Sequence, residues 1–173
     1  MRSCEALLSS LRAGDHDGVL ARLYALDGRA ESLDGARGRA ARVVEGFRQT
    51  FSPGGDASPA LFSGPGRTEI GGNHTDHQHG HVLCGSVDLD MLACAAPNGE
   101  TTIRILSEGY PALEVELDEL LPRESERNTS AALVRGVAAK TAELGYHLGG
   151  FDAYVTSNVL SGSGLSSSAA YEV

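Results

Sequence analysis

The sequence predicts an α+β fold, a mixed β-sheet with helices packed on one face, preceded by a helical N-terminal segment. Three observations predict it. Apolar residues recur at helical spacing through the first fifty or so positions. From Ala60 the pattern shifts to short alternating segments bounded by Gly and Pro. After residue 127 the order becomes helix, strand, helix. The shift divides the chain into a helical segment, 1–58, and a sheet-bearing part, 59–173.

The elements follow in order. Ala6, Leu7, Leu8 and Leu11 form an apolar stripe that Gly14 ends. Asp15 or Asp17 caps a second helix carrying Val19, Leu20, Leu23 and Leu26. A third helix spans about 36–51, with Ala40, Val43, Val44 and Phe47 on one side. The Pro- and Gly-rich stretch 52–59 is a loop. A strand over 60–63 leads into a turn at Gly64-Pro-Gly66, and 82–83 and 87–95 are strand-like. Ile103 and Ile105 share a face, and Leu113, Val115 and Leu117 alternate with acids. These two segments are predicted to be neighbouring strands joined through Gly109-Tyr-Pro111. Asn128 is the expected N-cap of a long helix buried through Leu133, Val134, Val137, Ala138 and Leu144, and Gly145 stops it. A strand over 151–156 and a helix from Ser166 close the order.

Composition narrows the function. At 173 residues with 41% hydrophobic content, the chain can bury one real core. A net charge of -9 argues against nucleic acid, whose phosphates demand clustered Lys and Arg. No apolar run approaches the length of a membrane span, and the first residues lack the apolar core of a signal peptide. Cys4, Cys84 and Cys94 form no CxxC pair and are expected to be reduced thiols of a cytoplasmic protein.

Two segments carry chemistry. Gly162-Ser-Gly-Leu-Ser-Ser-Ser168 lies between a strand and a helix. Gly162 and Gly164 permit close backbone approach, and Ser166, Ser167 and Ser168 fall in a first helical turn, where amides are unpaired. The loop reads equally as a phosphate cradle or as a flexible turn whose serine caps the helix. It is not a Walker A loop, since no Gly-Lys-Ser/Thr follows. The second segment, Arg67 to His81, is dense in polar groups between apolar strands. Arg67, Glu69, Asn73, His74 and Asp76 can converge on a sugar, whose hydroxyls want paired donors and acceptors. His77, His79 and His81 would share a face on a strand and suit zinc or nickel, although Gln78 and Gly80 favour a turn that scatters them. A solvated polar loop is the third reading.

Together the two segments resemble those of galactokinase, in the superfamily that includes homoserine, mevalonate and phosphomevalonate kinases (the GHMP kinases). Pro65-Gly-Arg-Thr-Glu-Ile-Gly-Gly-Asn-His-Thr-Asp76 is similar to the family's sugar-binding signature. Gly164-Leu-Ser-Ser-Ser-Ala-Ala170 is similar to its phosphate loop. The resemblance covers about 61–173 and implies the N-terminal domain of a GHMP kinase. It implies ATP and Mg²⁺ as cofactors and a small sugar, galactose foremost, as partner. The full-length protein is expected to be a cytoplasmic monomer that makes a sugar 1-phosphate. Arg67 matches the catalytic arginine between the anomeric hydroxyl and the transferred phosphate. His74 and Asp76 match sugar ligands, and Asn73 stands where the family has a sugar-binding glutamate. Gly162, Gly164, Ser166 and Ser167 match the triphosphate loop, and Ser168 is the expected Mg²⁺ ligand. Asn73 and His77, the latter in place of a tyrosine, leave open a different sugar such as a uronic acid. A non-catalytic sugar- and ATP-sensing protein of the same fold is the alternative. The family's catalytic aspartate, Mg²⁺-binding glutamate and C-terminal domain follow the phosphate loop. The chain is therefore expected to be the front part of a longer enzyme and inactive alone.

Overall fold

The computed structural model describes residues 3–26, 30–52, 54, 57–72, 75, 78–159 and 164–173. Three helices come first, α1 (Cys4–Ala13), α2 (Asp17–Leu23) and α3 (Ala30–Phe51). Strands β1 (Ala60–Gly71), β2 (Leu83–Pro97), β3 (Thr102–Ser107) and β4 (Leu113–Glu116) follow. Helix α4 (Ser130–Glu143), strand β5 (Phe151–Ser157) and helix α5 (Ser167–Glu172) complete the order. The sheet order is β1-β2-β5-β3-β4, with β3 and β5 parallel and every other pair antiparallel. The α+β fold with a mixed sheet is thus the one the sequence predicts.

Both faces of β2 are used. Leu92, Cys94 and Ala96 point to one side, where they join Leu7, Leu8, Leu11, Val43, Val44 and Phe47 in a single core. Met91, Ala93 and Ala95 point to the other side, toward Ile103, Ile105, Val115, Val134 and Tyr171. Helices α4 and α5 lie on this second face, and the N-terminal helices cover the first. Helix α3 comes close because Gly46 has no side chain; a Cβ there would sit 2.5 Å from the Tyr154 ring on β5. Each fully buried Leu, Val or Phe of the first core contributes about 1.5–3 kcal/mol relative to exposure.

Local signals explain the helix ends. Ser3 Oγ accepts from the Ala6 amide at 3.3 Å, and Gly14 closes α1 in the left-handed conformation at φ 83°. Helix α2 starts at Asp17 with no side-chain cap; Asp17 instead pairs with Arg37 of α3, whose Nε donates to it at 2.5 Å. The cap of α4 is Thr129 rather than Asn128, since Asn128 takes a left-handed φ of 62° and only Thr129 Oγ1 reaches the Ala132 amide, at 3.4 Å. Along α4 the predicted stripe is only partly buried. Val137 and Leu144 are exposed, while Arg135 is buried, its Nε donating to Glu126 at 2.8 Å.

The expected turn at Gly64-Pro-Gly66 is absent, because β1 runs straight through it. The glycines serve packing. A Cβ on Gly64 would lie 2.4 Å from the Ala170 carbonyl of α5, and one on Gly66 would lie 3.3 Å from the Leu165 carbonyl. Pro65 is tolerated because β1 is an edge strand, and the ladder shifts register between Pro65 and Arg67.

Candidate active site

Arg67 follows the register shift in β1 and faces the end of the glycine- and serine-bearing loop. Its backbone amide donates to the Leu165 carbonyl at 3.1 Å. Its guanidinium Nη1 donates to Cys84 Sγ of β2 at 3.1 Å. The two segments singled out in the sequence therefore meet through the main chain. Small residues ease the meeting: a Cβ at Gly64 would clash with the Ala170 carbonyl of α5, and one at Gly66 would sit tightly against Leu165 O and Val159.

On the loop side, Gly164 and Ser166 both take left-handed conformations, at φ 76° and φ 59°. The first backbone bond closing α5 runs from the Ala170 amide to Ser166 O at 3.0 Å. The amides of Ser167, Ser168 and Ala169 precede it and stand at the helix start, with three hydroxyls beside them. Ser166 caps α5 through no side-chain bond, so its hydroxyl is not spent on that task. Such an array of N–H and O–H donors suits an anion.

An open groove of about 730 Å³ runs from Ser167 and Ser168 across the α4–α5 face of the sheet to Tyr110 and Pro111 in the β3–β4 turn. Its floor is apolar, with Met91, Ile105 and Val155. Tyr171 stands beside the groove with its phenol raised by burial, a shift that a hydrogen bond to Ser107 partly opposes. An apolar floor with hydroxyls at one end fits a ligand with a flat apolar part and an anionic part.

Of the predicted site residues, Arg67, Gly164, Ser166, Ser167 and Ser168 lie among those described, and all sit at this junction. Asn73, His74, Asp76 and Gly162 lie outside the described residues, as does His77. Among the described residues no group of His, Cys, Asp and Glu could hold a metal ion. Cys84 and Tyr110 were not singled out from the sequence. Cys84 stands near Arg67 only through the β1–β2 register, which pairs Glu69 with Cys84 and Arg67 with Ser86. Tyr110 carried one signal, an aromatic ring in a hairpin turn, and it is exposed.

Residues 45–97 match the galactokinase galactose-binding signature, a span that runs from the end of α3 through β2 and includes Arg67. The chain resembles galactokinase. A galactokinase of Clostridium tetani is 28% identical over 120 residues, covering 69% of this chain and 30% of that protein. The crystal structure of Lactococcus lactis galactokinase complexed with galactose superposes with a TM-score of 0.66 at 28% identity, over 74% of this chain and 33% of that one. The mevalonate kinase of Methanococcus jannaschii shares the fold at 17% identity, with a TM-score of 0.54 over 68% of this chain and 38% of its own. The chain thus shares its mixed α+β fold with solved GHMP kinases, a galactokinase and a mevalonate kinase. The chain spans about a third of the length of the galactokinases it matches. No helix among the described residues is long and apolar enough to cross a membrane.

Proposed function

We propose that this chain forms the sugar- and nucleotide-binding part of a galactokinase-like enzyme that phosphorylates galactose, or a close sugar, at the anomeric hydroxyl with ATP. The observation that carries the reading is the Arg67 amide bond to Leu165 O, which joins the strand bearing the galactose-binding signature to the serine-rich loop. Phosphoryl transfer is mostly positioning and charge neutralisation, so it needs a sugar site and a phosphate site held a fixed distance apart.

In this reading Arg67 stabilises charge between the anomeric oxygen and the transferred phosphate. His74, Asp76 and Asn73 hold sugar hydroxyls. The amides and hydroxyls at 162–168 take the ATP phosphates, and the groove leading to Tyr110 takes the rest of the nucleotide. The donor set fits the nucleotide. It offers only N–H and O–H groups to an anion, and a Cβ on Gly164 would meet nothing within 4 Å, so phosphate can approach the backbone. Ser168 offers the hard hydroxyl oxygen that Mg²⁺ prefers. When bound with the nucleotide, Mg²⁺ neutralises phosphate charge. The proton on the sugar hydroxyl is assigned to a carboxylate that the resemblance places after the loop, so this chain is proposed to bind without sustained turnover. The full-length protein is proposed to be a cytoplasmic monomer.

Titration calorimetry on the purified chain tests the reading. Saturable binding of galactose and of Mg²⁺-ATP is expected, with galactose binding weakened at least tenfold in Arg67→Ala. Incubation with both ligands should give no sugar 1-phosphate above blank. Absence of both binding signals in the folded chain would overturn the assignment, and sustained product would overturn the claim that the chain does not turn over.

A further inference from the structure

The N-terminal helices reach the proposed site through a buried charge cluster. Asp90 of β2 is 2% exposed and Arg39 of α3 is 8% exposed. The Arg39 guanidinium pairs with the Asp90 carboxylate, and its Nη2 donates to the Asp90 carbonyl at 3.1 Å and, at the longer distance of 3.5 Å, to Thr156 O at the end of β5. Asp90 Oδ2 accepts two hydroxyls, Ser63 Oγ of β1 at 2.5 Å and Tyr24 Oη just after α2 at 2.8 Å. Burial and the adjoining carboxylate raise the Tyr24 phenol and keep it a donor. The Asp90 carbonyl also accepts the Asn158 amide at 3.0 Å, where the chain leaves β5 for the serine-rich loop.

Asp90 pairs with Pro65 in the ladder, immediately before the register shift that presents Arg67. One residue thus ties down both parts of the site, β1 through Ser63 and the root of the loop through Asn158. The far end of the loop is tied back to β1 by the Arg67 amide and Leu165 O. Among the described residues Arg39 Nε is buried with no partner, so the cluster is not fully satisfied. A buried ion pair seldom improves on apolar packing in net stability; a fixed geometry is what it can supply.

We propose that Asp90, Arg39 and Ser63 are positioning residues that set the spacing between the Arg67 strand and the phosphate loop, which makes α3 part of the site's framework. The inference rests on the kinase reading for its meaning, and its geometry can be tested apart from that reading.

Amide hydrogen exchange on the purified chain reads the geometry directly. In Ser63→Ala the Arg67 amide is expected to exchange at least tenfold faster relative to the Ile103 and Ile105 amides of the same protein. In Arg39→Met and Asp90→Asn the Asn158 amide should accelerate as well. Tyr24→Phe, which removes a hydroxyl from the same carboxylate oxygen but on the α2 side, should leave the Arg67 amide at the parent rate. Val115→Ala, a cavity at the opposite edge of the sheet, should move all amides together. A merely structural cluster would act like Val115→Ala throughout, and that outcome would overturn the proposal. Ser63→Ala loses a single hydroxyl, so it keeps the test open where Asp90→Asn does not fold. The second arm is the affinity for a fluorescent ATP analogue with Mg²⁺, expected to weaken at least fivefold in Ser63→Ala and to stay at the parent value in Val115→Ala. Parent-like affinity in Ser63→Ala, with Arg67 exchange accelerated, would overturn the positioning role. Failure of the unaltered chain to bind the analogue would overturn the kinase reading, and the positioning role with it, whereas the exchange result would still decide the geometry.

Discussion

The two faces of the sheet differ in how completely they are covered. On the α1–α3 side, Cys4, Ala40, Val44 and Cys94 are wholly shielded and Leu11, Val43 and Phe47 nearly so. On the α4–α5 side, the apolar floor opens into the groove between Ser168 and Tyr110, and Val137 on α4 and Leu144 just after it stand exposed. The closed face holds the sheet, and the open face keeps room for a ligand. A densely buried polar cluster on the closed face, around Asp90, stands behind the strand that carries Arg67.

Perturbations should therefore divide by face. The largest effect is expected from Phe47→Ala, which opens a cavity in the closed core and should cost about 3–5 kcal/mol in urea unfolding. Leu144→Ala on the open side should stay within about 0.5 kcal/mol; equal losses would erase the distinction. Gly64→Ala comes next. Its Cβ would press on the Ala170 carbonyl, and the overpacking should cost about 1–3 kcal/mol and weaken ATP analogue binding by displacing α5. A shift in stability with binding unchanged would separate α5 from the site.

The cysteines sharpen the contrast in a different way. Burial pushes the Cys94 thiol up to about 12 and raises Cys4, and both are sealed in the closed core, whereas Cys84 is half-buried beside Arg67. A disulfide reagent should label one thiol of the native chain quickly and the other two only on unfolding. Rapid labelling of all three would show that the closed face opens readily.

The smallest effect concerns acid. Bonds from Arg48, and then from Gln49, hold the Glu45 carboxyl down at about 2. A depressed carboxyl contributes stability that is present above its unfolded value, near 4.3, and is lost as pH falls toward 2. Glu45 is a third exposed, so the contribution is modest. Glu45→Gln should slightly flatten the stability profile between about pH 4.3 and 2, and an unchanged slope would remove this pair from the account.

The parts legible in the sequence were those whose pattern is local. The alternation of Ile103 and Ile105 with that of Leu113 and Val115 correctly pairs β3 with β4, since a register slip would turn these residues outward. Gly14 and Gly145 mark helix ends because the left-handed conformation they adopt is itself a local property. Gly64-Pro-Gly66 misled because its cause is distant; the residues that require small neighbours, Leu165 and Ala170, lie about a hundred positions downstream. The burial of Val137 and Leu144 failed for a related reason, since periodicity says which side of α4 is apolar and nothing about what covers it. In the candidate site, Arg67 and the serines stand out in the sequence as motifs. Asp90 was not, because one acid in an apolar run looks like any solvent-facing residue until Arg39, Tyr24 and Ser63 converge on it.

Pro65 has a further consequence. A twelve-residue outer strand is a ready template onto which another extended chain could add, and such additions seed aggregates. An imino acid near the middle of that rim, where the pleat also loses its regular register, denies an incoming segment a continuous row of donors. The irregularity that precedes Arg67 thus also interrupts the row of donors along this border.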